Sequence, residues 1–136
     1  MKFILSPETQ IGAIKQKFND EFPFLKIEFF THLHPSDQLS LPSDMISSAT
    51  ELSKISAFRG KRVLNISELL TVKNFEDWFK NELNISVQVF RKSNQQWLQT
   101  SKTDEWTLKR QNDIGKEMSQ AEQHQQIEEN DYHEQL

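Results

Sequence analysis

The sequence predicts an α+β fold, a ferredoxin-like split β-α-β sandwich with an antiparallel sheet and its helices on one face. Two amphipathic stripes at helical spacing, around Phe18 and Phe79, each follow a short strand candidate. Between and after them lie segments that alternate apolar and polar residues, as half-buried strands do. A final hairpin strand and helix extend the pattern.

Lys2 to Leu5 is the first strand candidate. Ser6-Pro7 reads as a helix start, because Ser caps and Pro is preset for the first helical position. Ile11, Ile14, Phe18 and Phe22 then form one stripe, and Pro23 closes it. In Phe24 to Phe30, Leu25, Ile27 and Phe29 share one face while Lys26 and Glu28 take the other, so one face is expected to be wet. Residues 31–47 carry two Pro, four Ser and two Asp and predict a long loop. Ser48-x-x-Glu51 has the form of a capping box, which places a short helix over about residues 48–58. Gly60 turns the chain into a strand at Arg62 to Ile66.

Thr71 is expected to cap the next helix, whose stripe is Phe75, Phe79 and Leu83 with Val72 at its base. Trp78 sits at its shoulder as a core residue. Asn84 suits a left-handed C-cap. Ile85, Val87 and Val89 alternate with polar residues, Ser93-Asn94-Gln95 offers a turn, and Gln96 to Ser101 returns as a strand. A last helix starts near Thr103-Asp104 or Thr107, with thin apolar content in Leu108, Ile114 and Met118. No repeat at a fixed period is evident.

Composition bounds the organisation. Leu, Ile, Val and Phe number 37 of 136 residues, enough for one core of modest size. Net charge is -4 overall, but residues 1–118 sum to +1 and residues 119–136 to -5. The expectation is a single α+β domain over 1–118 and a polar, acidic, Gln-rich tail over 119–136, disordered or helical. With no Cys, thiolate chemistry and disulfides are excluded. No signal-type apolar run or membrane span is present, so a cytoplasmic protein without a membrane partner is expected.

The block Val87-Gln88-Val89-Phe90-Arg91-Lys92-Ser93, then Trp97, then Thr103-Asp104-Glu105-Trp106-Thr107-Leu108 and Gln111-Asn112 resembles the C-terminal block of a family of small, functionally uncharacterised bacterial proteins. In that family a Gly follows the Lys-Ser pair, where Asn94 stands here. The resemblance implies a bacterial, domain-sized protein and carries no activity with it.

Three functional readings follow. Only Gly12, Gly60 and Gly115 are available, which excludes Gly-rich phosphate loops, and no nucleophile elbow surrounds any Ser. The first reading is therefore a non-enzymatic interaction module without a cofactor, contacting a protein partner or a second copy through Arg91, Lys92, Trp97 and Trp106. The second is single-stranded nucleic-acid binding through the sheet face, with Phe30, Phe90 and Trp97 stacking and Arg59, Lys61 and Arg62 as an anion patch. The third is a metal-dependent enzyme at His32, His34 and Asp37, two His at i,i+2 with an acidic neighbour. Paired carboxylates such as Glu76-Asp77 read as solvated helix faces.

Overall fold

A computed structural model of the chain describes residues 1–31 and 44–120. The elements are β1 (Lys2–Leu5), α1 (Ile11–Glu21), β2 (Leu25–Phe30), β3 (Arg62–Asn65), α2 (Val72–Leu83), β4 (Ser86–Ser93) and β5 (Gln96–Gln99), with short 3-10 turns at Leu52–Lys54 and Ser101–Thr103. A third helix, α3, runs over residues 108–120. The α+β class and the antiparallel strands are as the sequence predicts.

The strand order is not confirmed as ferredoxin-like. That order needs β3 beside β2. Instead β1 pairs with β3 in a two-stranded sheet, and β2, β4 and β5 form a second sheet in that order. The physical cause lies at the free edge of β2. Residues 44–46 take it: the Ile46 N–H donates to Phe29 O at 2.8 Å, and the Thr31 N–H to Asp44 O at 2.9 Å. That end of the edge is already paired and is closed to β3.

One core nonetheless joins the two sheets. Phe3, Leu5 and Leu64 belong to the same buried cluster as Ile27, Phe29, Val87 and Val89. The helices meet over it, with the Phe18 and Phe75 rings 5.0 Å apart and Phe29 edge-on to Phe79 at 5.7 Å. Such ring pairs add to the burial of apolar area.

The chain enters its helices by a device that local spacing does not reveal. Four segments share one form: a turn led by Ser or Thr, a bridging residue, then an apolar residue opening a helix. Their leads are Ser6, Ser47, Ser67 and Thr103, and each turn closes by a hydrogen bond from residue i+3 back to the lead carbonyl, at 3.0 to 3.1 Å. The bridging residues are Gln10, Glu51, Thr71 and Thr107, and they pair Gln10 with Glu51 and Thr71 with Thr107. The residues that follow, Ile11, Leu52, Val72 and Leu108, are all fully buried.

Each pair of segments caps reciprocally. The Ile11 N–H donates to Thr50 O and Leu52 N–H to Thr9 O, while Gly12 N–H donates to Ser48 O and Ser53 N–H to Pro7 O. The same offsets recur as Val72 to Trp106, Leu108 to Leu70, Lys73 to Asp104 and Lys109 to Glu68. The amide groups that a helix start leaves orphaned are thus filled by backbone carbonyls.

This corrects two expected boundaries. α1 begins at Ile11 rather than at Ser6-Pro7, because Ser6 to Thr9 is used as the turn. The helix expected over 48–58 shrinks to the 3-10 turn Leu52–Lys54, because the carbonyls of Ser48 and Thr50 are committed to α1. Both caps of α2 hold: Thr71 Oγ1 accepts from Asn74 N–H at 3.1 Å, and Asn84 closes the C-terminus left-handed at φ 54°.

α3 is held by polar residues rather than by an apolar stripe. Met118 is exposed and Ile114 half-buried, whereas Gln111 is fully buried. Asn112 Oδ1 accepts the Phe24 N–H at 2.9 Å. Gly115 lets the helix approach closely, since a Cβ there would lie 2.9 Å from Phe24 Cβ.

Candidate functional site

The β4–β5 hairpin sorts the sequence-predicted residues onto two faces. Its turn is Asn94-Gln95, with Asn94 at φ 58°, the left-handed geometry for which Gly is otherwise used. Lys92 stands opposite Trp97 and Arg91 opposite Leu98. Directly opposed residues of an antiparallel pair share a face, so Lys92 and Trp97 lie on one and Arg91 and Leu98 on the other.

On the first face Lys26 reaches both Phe90 and Trp97, its Nζ 5.3 Å from each ring centroid. Lys26 stands opposite Phe90 across β2 and β4. This face is not uniformly wet, as the alternation had suggested. Glu28 is buried at 6% exposure, with Lys15 Nζ 2.9 Å from its carboxylate and Lys26 at 3.9 Å. Lys15 also donates to Ser48 Oγ, which ties α1, β2 and the segment over α1 together.

On the second face Arg91 lies under α3. Its Nη1 donates to Gln111 Oε1 at 2.9 Å, and Gln111 is itself fixed by donating to Thr103 O and Oγ1, both at 2.8 Å. The buried Arg91 Nε has no partner. Burial lowers the guanidinium's pKa below its ordinary value, the signature of a cation drawn out of water. The Trp106 ring carries two guanidinium groups, Arg91 at 5.6 Å and Arg110 at 4.0 Å from its centroid. Trp97 and Leu98 on β5 are 36% and 41% exposed. The four residues read from sequence thus gather about one hairpin, although Trp97 and Trp106 serve different faces.

Glu76, read from sequence as solvated, is a half-buried carboxyl instead. Its Oε2 accepts the Val89 N–H at 2.8 Å, filling a strand amide beyond the end of β5. Burial pushes its pKa up to about 8; the nearby carboxylates of Asp104 and Asp77 add to the rise, and the Val89 N–H opposes it. Asp104 is raised too, by burial first, against the charge of Lys73. The signal was present in the spacing, because Val72, Glu76, Phe79 and Leu83 fall at i, i+4, i+7 and i+11 on one helical stripe.

The basic turn is separate. Arg59, Lys61 and Arg62 lead into the two-stranded sheet, where Arg62 stands opposite Leu5, and not into the sheet that carries Arg91 and Lys92. Arg62 Nη1 donates to Arg59 O and Lys61 O, and its guanidinium lies over Phe58 at 5.6 Å. It lines an open cleft of about 650 Å³ with Lys54, Phe58, Asn81 and Glu82, a wall of mixed charge. Phe30 is buried at 3% and presents no stacking surface.

Chemistry at the helix starts is limited as well. The first amides of α1, α2 and α3 face backbone carbonyls, so those donors are not available to an anion. His32, His34 and Asp37 lie outside the described residues. Among the described residues no group of three or more His, Cys, Asp or Glu is placed to hold a metal ion, and no helix is long and apolar enough to cross a membrane. Comparison of the chain with protein-family models, curated proteins and solved structures gives no match.

Proposed function

We propose that the protein is a non-enzymatic interaction module whose contact surface is the β4–β5 hairpin with the start of α3. One observation carries this reading: the outermost strand of the three-stranded sheet exposes Trp97 and Leu98 on opposite faces, beside Lys92 and Arg91. Aromatic and Arg side chains are enriched where protein contacts gain most of their energy, and a free sheet edge can pair with an extended segment. No carboxylate of the described residues pairs with Arg91 or Lys92, so neither charge is neutralised within them.

The single-stranded nucleic-acid reading has less support. Lys26 already lies against both Phe90 and Trp97, Phe30 is buried, and Arg62 is engaged with its own turn. Light scattering and quantitative partner capture test the first reading. Trp97→Ala is expected to lower self-association or capture several-fold while leaving the melting temperature within a few degrees. Unchanged mass and unchanged capture in that variant would refute it.

A further inference from the structure

We infer that the second face of the hairpin, formed by Leu98, Arg91, Trp106 and Arg110, docks an acidic peptide segment of a protein partner. The inference rests on the interaction-module reading and adds the chemistry of what is bound.

Among the described residues the charge on this face is uncompensated. Two guanidinium groups lie on one indole ring, at 4.0 and 5.6 Å from its centroid. Neither is in ion-pair distance of a carboxylate among the described residues. Arg91 is half-buried, keeps one side-chain hydrogen bond to the neutral Gln111, and leaves Nε without any. A cation partly removed from water and paired only with neutral groups gains most from an incoming carboxylate. The indole holds the two planar forks in place, so little side-chain entropy is lost when they engage.

The apolar part adjoins the charged part. Leu98 stands directly opposite Arg91 and is 41% exposed, so an apolar side chain of the ligand would rest on Leu98 while a neighbouring carboxylate meets Arg91 or Arg110. Arg110 is exposed at the first turn of α3 and reaches the ring from outside. Its backbone N–H is already taken by Thr107 Oγ1, so the side chain, not the helix start, supplies the charge. Single-stranded nucleic acid is the competing anion, but Trp106 offers bases a ring already occupied by both guanidinium groups.

Fluorescence anisotropy of the full chain decides the matter, with a labelled Glu-Glu-Leu repeat peptide as probe. A Gln-Gln-Leu repeat and a thymidine oligonucleotide serve as comparisons. The acidic peptide is expected to bind, to weaken with added salt, and to lose about tenfold in affinity on Arg110→Gln. Leu98→Ser is expected to weaken it as well, and Arg62→Gln to leave it unchanged. Equal binding of the acidic and neutral peptides, no loss on Arg110→Gln, or oligonucleotide binding in place of peptide binding would each overturn the proposal. Capture that still depends on Trp97 in the same preparations would then leave the broader interaction reading standing, since Trp97 lies on the opposite face.

Discussion

At the scale of single residues, Glu76 makes stability depend on pH. In the unfolded chain its carboxyl titrates near the ordinary 4.5, and in the folded chain near 8. Below 4.5 both states are protonated and burial costs nothing through ionisation. Between the two values the unfolded chain ionises while the folded one resists, so stability falls by up to about 1.4 kcal/mol per pH unit. Above 8 both are charged and the loss levels off. Glu76→Gln keeps an acceptor for the Val89 N–H and removes the titration. Thermal melts from pH 5 to pH 9 should therefore show a decline in the wild type that is absent in the variant. Parallel curves would show that the carboxyl is hydrated enough to ionise without cost.

The same residue shows where reading the sequence succeeds and where it stops. Phe75 and Phe79 were legible because large apolar residues at helical spacing have one ordinary fate, which is burial. Glu76 sits on that very stripe, but adjacent carboxylates are ordinarily solvated, so the spacing alone does not announce its burial. Its partner is a strand amide 13 residues away, and no local pattern announces it. Arg91, Lys92 and Trp97 were legible as residues of one hairpin. The pairing of Arg91 with Gln111 and Trp106 depends on how α3 lies across the sheet, which spacing along the chain does not encode.

At the scale of elements, the reciprocal caps explain the misplaced boundaries. A capping box at Ser48 and a Ser-Pro helix start at Ser6 are sound local readings. Both lose to a non-local arrangement in which the same backbone groups satisfy each other across about 40 residues. The four turn segments give no repeat signal, because their leads at 6, 47, 67 and 103 follow no fixed period. Gly12 tests the arrangement. Ala is ordinarily better than Gly inside a helix by about 1 kcal/mol. Here a Cβ would stand 3.0 Å from Ser48 O, the acceptor of the Gly12 N–H itself, and that carbonyl cannot retreat without lengthening the bond. Gly12→Ala should thus destabilise, by about 1 kcal/mol or more, where propensity alone predicts a gain. Thr107→Ala should cost about 1 kcal/mol by removing the hydroxyl that accepts the Arg110 N–H. Chemical denaturation measures both, and a stabilised Gly12→Ala would mean that the Ser48 segment yields freely.

At the scale of the whole molecule, the question is why two small sheets hold together at all. A two-stranded ribbon is marginal in water, and β1 with β3 has four residues in each strand. The outer face of that ribbon carries Ile4 opposite Val63, at 62% and 50% exposure, so only its inner face contributes. That inner face, Phe3, Leu5 and Leu64, is buried in the same cluster as the three-stranded sheet, and α1 and α2 join them through the Phe18–Phe75 contact. The ribbon should accordingly have no stability of its own. Phe75→Ala removes the ring that contacts both Phe18 and Phe79, and a truncation of this kind costs about 3–5 kcal/mol. If the core is shared, amides of Leu64 in β3 and Val89 in β4 should lose hydrogen-exchange protection together in that variant. If Leu64 loses protection while Val89 keeps it, the ribbon is an appendage, and the two sheets are separate cooperative units that merely touch.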